Sequence, residues 1–266
     1  GHGGGIAGCA YDDNYSSNTL NTAEIALASK DALETYQRDK FTFLGFDCCL
    51  MACADIASVQ SEYYQYMVAS QEMEGGEGWN QDVWLSYLVQ NPVNNDVNIL
   101  KKVVDSYVGD SHTSCGYYEH GQRTPCYSTL SIFDLSKAND FVTSFDSFID
   151  EVGASSSVYA NAYRKSYSFG EGSYGLVDFI DFINKVDSLS LTSTTKEAVI
   201  NSIENMIIYG KNCNGFGCEL SGVNLFFPIN LSRIDDFAVI KDDYRGSNTK
   251  LTSWQLICNS YIQGWH

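Results

Sequence analysis

The sequence predicts an α/β fold, a mixed and mostly parallel sheet with helices on both faces. Three observations carry this. Short apolar runs rich in aromatic and β-branched residues alternate with Ala/Leu-rich runs of helical spacing, and the connections between them are short. The chain has 266 residues, 44% of them hydrophobic, with 18 Tyr, 14 Phe and 4 Trp, enough for one large core. With 3 Pro there is little linker, and no break marks a second domain. A β-α-β alternation of this kind implies parallel strands joined by right-handed crossovers.

Residues 22–36 place Ile25, Leu27, Ala28, Ala32 and Leu33 at helical spacing among good helix formers. Phe41-Thr42-Phe43-Leu44-Gly45-Phe46 is nearly all apolar, which predicts a central strand covered on both faces. It ends at Asp47. Residues 50–59, with Ala and Met and few β-branched positions, read as the next helix, 63–70 as a strand and 82–89 as a helix. Further on, 97–107 is helical, 109–126 a long polar loop and 127–133 a strand. Residues 134–149, 159–163, 177–186 and 196–209 are wholly or partly helical, 222–228 is a buried strand, and 253–265 closes as an amphipathic helix.

Sixteen Lys+Arg stand against 33 Asp+Glu, a net charge of −17. Nucleic acid and anionic membrane are therefore repelled over the whole surface, whereas cationic ligands are favoured. No apolar run approaches the roughly 18–20 residues of a membrane span. The chain opens on Gly1-His2-Gly3-Gly4-Gly5 with neither Met nor a signal-like segment, as expected of a processed or truncated chain.

Nine cysteines leave at least one thiol without an intramolecular partner. Cys115 and Cys126 bracket a polar loop, and Cys213 and Cys218 bracket Asn-Gly-Phe-Gly. Both pairs read as local disulfide staples, which imply an oxidising compartment and hence a secreted or cell-surface protein. The alternative is reduced thiols throughout. Zinc is disfavoured, because no Cys-x2-Cys pair occurs and the four His are scattered.

Two features bear on chemistry. Cys48 and Cys49 follow the apolar strand end at Phe46-Asp47, where open α/β sheets place ligands and where a following helix N-terminus would lower a thiol pKa. His2 sits among glycines that allow close backbone approach, unlike His112 and His120 in the polar loop. A Cys and a His on neighbouring strand ends form a nucleophile–base dyad.

Gly1-His2-Gly3-Gly4-Gly5, Phe46-Asp47-Cys48-Cys49-Leu50-Met51-Ala52 and Val68-Ala69-Ser70-Gln71-Glu72, followed by Gly78-Trp79-Asn80, together resemble the clostripain family of cysteine endopeptidases. Gly175-Leu176-Val177-Asp178 and Gly222-Val223-Asn224-Leu225-Phe226-Phe227-Pro228 extend the resemblance over nearly the whole chain. It implies a single caspase-like peptidase domain over 1–266, an α/β sandwich whose N-terminal strand or strands lie outside this chain. It also leaves room for an N-terminal companion chain or segment.

The implied activity is that of a thiol protease cleaving after Arg or Lys, through a thioester, on protein or peptide substrates with a basic P1 residue. His2 would be the base and Cys49, immediately before Leu50-Met51, the nucleophile. The N–H groups of Gly3 and Cys49 would form the oxyanion hole. Asp47 would pair with the P1 cation, with helix capping as its alternative role; Ser70 and Gln71 would line the pocket through their backbone, and Glu77 would add a second acid. Gln71 and Asn80 stand where the family often carries acids. No cofactor is required. Asp12 and Asp13 are carboxylates of the kind calcium takes in some relatives, although two acids in a loop are more often simply solvated. The rival functions are a catalytically silent binding or structural subunit and a transpeptidase using the same dyad.

Overall fold

The computed structural model describes residues 1–15, 18–76, 78–92, 96–109, 118–119, 122–123, 127–229 and 249–264. The first helix shows how local sequence sets the boundaries. In α1 (Thr22–Tyr36) the Glu24 N–H donates to Asn21 Oδ1 at 2.9 Å and the Asn21 N–H donates to Glu24 Oε2 at 3.0 Å, a reciprocal cap that satisfies two N-terminal donors. A short antiparallel pair, β1 (Cys9–Asp12) and β2 (Asn18–Leu20), precedes it.

The central sheet contains β3 (Phe41–Gly45) and β4 (Tyr64–Ala69), with α2 (Ala54–Gln60) between them. After α3 (Gln81–Gln90), α4 (Asp96–Val104) and the small β5/β6 pair (Tyr118–Glu119 and Gln122–Arg123) comes β7 (Thr129–Asp134). Helices α5 (Ala138–Val152) and α6 (Ser156–Tyr163) follow, then β8 (Leu176–Asp178), α7 (Phe179–Lys185), α8 (Ser193–Met206), β9 (Ile207–Asn212), β10 (Asn224–Phe226) and α9 (Thr252–Gln263). The sheet order is β3-β4-β7-β9, and β8 pairs with β10 in a separate antiparallel ribbon.

Strand alternation divides the core. Met67, Ala69 and Phe133 point into the larger cluster, which is filled by Phe141, Phe145, Phe148, Phe179 and Trp254. Their neighbours Val68 and Ile132 point the other way, with Leu130, onto Leu100, Val103 and Val104 of α4. Both faces of the sheet are therefore covered by helices, as the sequence predicts. Trp254 meets its polar requirement inside the core, because its indole N–H donates to Phe226 O at 2.8 Å.

Several expectations are corrected. The sheet is mixed, but its parallel share is smaller than expected: β3–β4 is parallel, whereas β4–β7 and β7–β9 are antiparallel. Among the described residues β3 is an edge strand with Phe41 37% exposed, so it is not the doubly covered strand its apolar run suggested. The helix expected from residue 50 begins at Ala54, because Leu50 is held at φ +66°, outside helical space. The segments 177–186 and 196–209 each join a strand to a helix: Val177 and Asp178 lie in β8, and residues 207–209 in β9. Cys213 is disulfide-bonded, but not to Cys218, whose thiol is free and exposed. Cys115 and Cys126 lie outside the described residues.

A buried polar hub joins β4 to the β8/β10 ribbon. Gln71 Nε2 donates to Asp178 Oδ2 (3.1 Å), Val223 O (3.0 Å) and Asn224 Oδ1 (3.2 Å). Its Oε1 accepts from the Gly222 N–H at 2.9 Å, and its carbonyl accepts from Asn224 Nδ2 at 2.9 Å. Gln71 and Asn224 are fully buried, so these partners stand in for water. The Gln71→Leu variant, which strands several of them, should lose about 2–4 kcal/mol in urea unfolding. A loss under about 0.5 kcal/mol would mean the hub is dispensable.

Candidate active site

The site is built on backbone contact between two chain segments. An added Cβ on Gly3 would lie 2.2 Å from Cys49 O and 3.1 Å from Cys49 N. The chain next to His2 thus rests directly on the Cys49 peptide, an approach open only to glycine. The same segment is secured from behind, where Gly3 bridges Cys9 and His2 O accepts from the Ala10 N–H at 3.0 Å. The His2 side chain is exposed.

Cys49 is half-buried in the turn after β3. Its Sγ accepts from the Glu74 N–H at 3.2 Å, a bond that strengthens when the sulfur is ionised. The turn is pinned by the Leu50 N–H to Glu72 O (3.2 Å) and the Ala52 N–H to Ser70 O (2.9 Å). The thiol does not sit at the N-terminus of α2, which starts at Ala54, so the helix-dipole argument does not apply. Cys48 is buried and lies against Gly3 and Cys9.

Asp47, half-buried, faces the return of the chain from β4. The Trp79 N–H donates to both of its carboxylate oxygens at 3.1 and 3.2 Å. Gly78, at φ +68°, has no side chain because a Cβ would come within 2.8 Å of Asp47 Oδ2. The Trp79 ring packs on Gly45, where a Cβ would be 3.0 Å from it, so the indole forms a wall beside the strand end. In this position Asp47 caps no helix; it organises the loop that brings Trp79 to the site.

The sequence reading missed Glu74. The Trp79 Nε1–H donates to Glu74 Oε1 at 3.3 Å, while Glu74 Oε2 is buried with no hydrogen-bond partner among the described residues. Burial, augmented by the charge of Asp47, pushes this carboxyl up to about 9, against the pull of the Trp79 hydrogen bond. Glu74 thus places its backbone on the Cys49 sulfur and its side chain beside Asp47. The acidic run Glu72-Met73-Glu74 was visible in the sequence, but which acid turns inward depends on how the loop returns over Cys49.

The other expected residues that are described lie deeper in the fold or at element ends. Ser70 and Gln71 are fully buried. Ser70 Oγ bonds Thr129 Oγ1 at 2.8 Å, the Gln71 N–H donates to the same Thr129 oxygen at 2.9 Å, and the Gln71 side chain serves the hub. Asn80 occupies the N-cap of α3 without a side-chain cap bond. Glu77, His112 and His120 lie outside the described residues. Asp12 accepts the Asn14 N–H at 2.9 Å, and among the described residues no three His, Cys, Asp or Glu side chains are grouped to hold a metal.

A half-buried thiol on a loop beyond a strand end, set in a helix-flanked mixed sheet, is compatible with the arrangement of a caspase-like cysteine peptidase. The chain belongs to the clostripain family, whose model matches residues 5–259, a span that begins just after His2 and Gly3. Solved structures share the fold. A clostripain from Bacteroides thetaiotaomicron in complex with the peptide inhibitor BTN-VLTK-AOMK matches with a TM-score of 0.66 at 13% identity, over 92% of this chain and 98% of that one. A secreted cysteine protease from the same species, bound to an irreversible peptide inhibitor, gives 0.66 at 13% identity over 90% and 70%. An inactive zymogen from Parabacteroides distasonis gives 0.64 at 16% identity over 90% and 65%. No curated protein matches.

The Glu74 carboxyl fixes a pH dependence. Its pKa is raised in the fold, so between the unfolded value near 4.5 and the folded value of about 9 the folded chain holds one more proton than the unfolded chain. Stability conferred by that proton is complete below the lower value and falls as pH rises to the upper one, by at most about 1.4 kcal/mol per pH unit. Denaturant unfolding at pH 5 to 8 should show this slope in the wild type and a flatter one in Glu74→Gln. Equal slopes would place Glu74 in water.

Proposed function

We propose that the chain hydrolyses peptide bonds after Arg or Lys, with Cys49 as nucleophile and His2 as base. The observation that carries this reading is the seating of the Gly3 backbone on Cys49, which puts the residue after the imidazole against the thiol-bearing peptide. His2 takes the thiol proton, and the Cys49 thiolate attacks the scissile carbonyl carbon. The resulting oxyanion is met by the N–H groups of Gly3 and Cys49, whose peptides lie side by side. Collapse to the thioester expels the amine, which receives its proton from His2. Water then attacks the thioester with His2 again as base, and the acid product leaves. The Glu74 N–H supports the thiolate form of Cys49 throughout.

The P1 preference rests on Asp47 and Glu74, two carboxyl groups flanking the thiol, and on the overall charge of −17, which draws in cations. The inhibitor bound to the Bacteroides clostripain carries VLTK, a peptide ending in lysine. A companion segment or chain fits the exposed β3 edge, where an extended strand would cover Phe41 and complete the backbone pairing. Secretion is supported by the disulfide at Cys213 and by the relative described as secreted.

Under reducing conditions, Cys49→Ala should abolish turnover while Cys48→Ala keeps most of it. Turnover by Cys49→Ala would overturn the assignment. Asp47→Asn should lower kcat/KM for P1 Arg substrates roughly a hundred- to several-thousand-fold, the cost of leaving a buried guanidinium without its counter-charge. It should barely change alkylation of Cys49. Equal losses for P1 Arg and P1 Leu substrates would mean that Asp47 serves the loop and not the substrate.

A further inference from the structure

Six thiols are free among the described residues, at Cys9, Cys48, Cys49, Cys53, Cys218 and Cys258. Cys53 and Cys258 are wholly enclosed by the core, and Cys53 Sγ donates to Leu50 O at 3.2 Å. Cys218 is exposed, near Asp178 and Asp181. Cys9 and Cys48 differ from these because both lie against Gly3, which places their thiols side by side. They belong to the two segments the site must hold together. Cys9 is bridged to Gly3, and Cys48 immediately precedes Cys49 and lies 3.2 Å from where a Gly3 Cβ would stand.

We propose that Cys9 and Cys48 are a disulfide-forming pair, oxidised by low-molecular-weight disulfides, whose cross-link fastens the His2 segment to the Cys49 loop. The interaction between the two thiols holds the Cys9 pKa below the ordinary thiol value and, with burial, pushes Cys48 up, which favours Cys9 as the attacking sulfur. The Cys9 thiolate attacks one sulfur of the oxidant RSSR, forming a mixed disulfide and releasing RS⁻, which takes up a proton. Cys48 then attacks the Cys9 sulfur, displacing the second RS⁻, which leaves with the Cys48 proton. Two protein thiols and RSSR thus become one protein disulfide and two RSH. Both thiols retain a little exposure, 9% for Cys9 and 7% for Cys48, so a small oxidant has a point of attack. The bridge would close a loop of about 40 residues, constraining the unfolded chain and adding stability. Cys49 stays a free thiol, so the cross-link stands whether or not Cys49 is the nucleophile. Its effect on turnover rests on the proposed dyad.

The purified chain is equilibrated in oxidised and reduced glutathione at graded ratios, alkylated, and digested without reduction, with fragmentation to assign the bridged cysteines. The expected result is a Cys9–Cys48 linked peptide lighter by two hydrogen atoms, with Cys49 alkylated at every ratio. The oxidised chain should also melt about 5–10 °C above the reduced one. Cys48→Ser should lose the share of that difference due to a Cys9–Cys48 bridge and keep only the share due to the Cys213 disulfide. The proposal is overturned if Cys9 and Cys48 stay free, or are capped singly by glutathione, at a ratio that caps the exposed Cys218. A bridge from either to Cys49 would overturn it equally.

Discussion

The missing side chain at Gly3 is the constraint on which the site depends. A peptide can lie flat on another peptide only where no Cβ intervenes, and any residue other than glycine there would drive its Cβ to 2.2 Å from Cys49 O. Two segments far apart in sequence, those of His2 and Cys49, are thereby brought together. That proximity is geometric and does not depend on attraction between His2 and Cys49. It therefore holds in whichever protonation states the two side chains adopt, which the proposed dyad would need because its proton moves back and forth in each turnover.

The strand ends are in turn fixed from below by polar groups. Gln71, Asp178 and Asn224 form a fully enclosed set, and the Asp178 carboxylate also accepts from the Ser221 N–H and hydroxyl at 2.7 and 2.9 Å while capping α7 through Asp181. Burial raises the Asp178 pKa against those bonds, so the group is costly to bury and is held by many donors. An apolar plug could fill the same volume but would not fix the register between β4 and the β8/β10 ribbon. Directional bonds from one amide to three backbone or side-chain acceptors do fix it, and they hold Glu72 and Glu74 in the loop that follows.

These two levels explain what could be read in the sequence. The alternation of elements, helices on both faces, and the Cys49 and His2 segments all follow from local composition and short motifs. The family segments around Asp178 and Asn224 were also visible, but their meaning was not, because Gln71 meets them 107 and 153 positions along the chain. For the same reason Gln71 read only as a position where a charge is missing, and the service of its side chain to the hub was not visible. The edge position of β3 was hidden because an apolar run looks the same whether the next strand lies within the chain or comes from elsewhere. Leu50 at φ +66° delayed α2, a backbone conformation that leucine gives no sign of in sequence.

On the proposed preference for a basic P1 residue, the pairing of Asp47 with Glu74 would link selectivity to protonation. Two carboxyls near each other in a partly dry site cannot both ionise cheaply, so the empty site keeps a proton on the more buried one. Glu74 is that one: its Oε2 is enclosed and its pKa lies near 9. A guanidinium or ammonium entering beside Asp47 supplies the positive charge the proton had supplied, and the proton becomes dispensable. Ionised Glu74 then adds a second counter-charge to a bound cation, whereas a neutral P1 side chain would leave it protonated. On that proposal, discrimination between basic and neutral residues would arise from exchanging one cation for another. Trp79 bonds Glu74 through its indole N–H and Asp47 through its backbone N–H, so one residue tethers both acids.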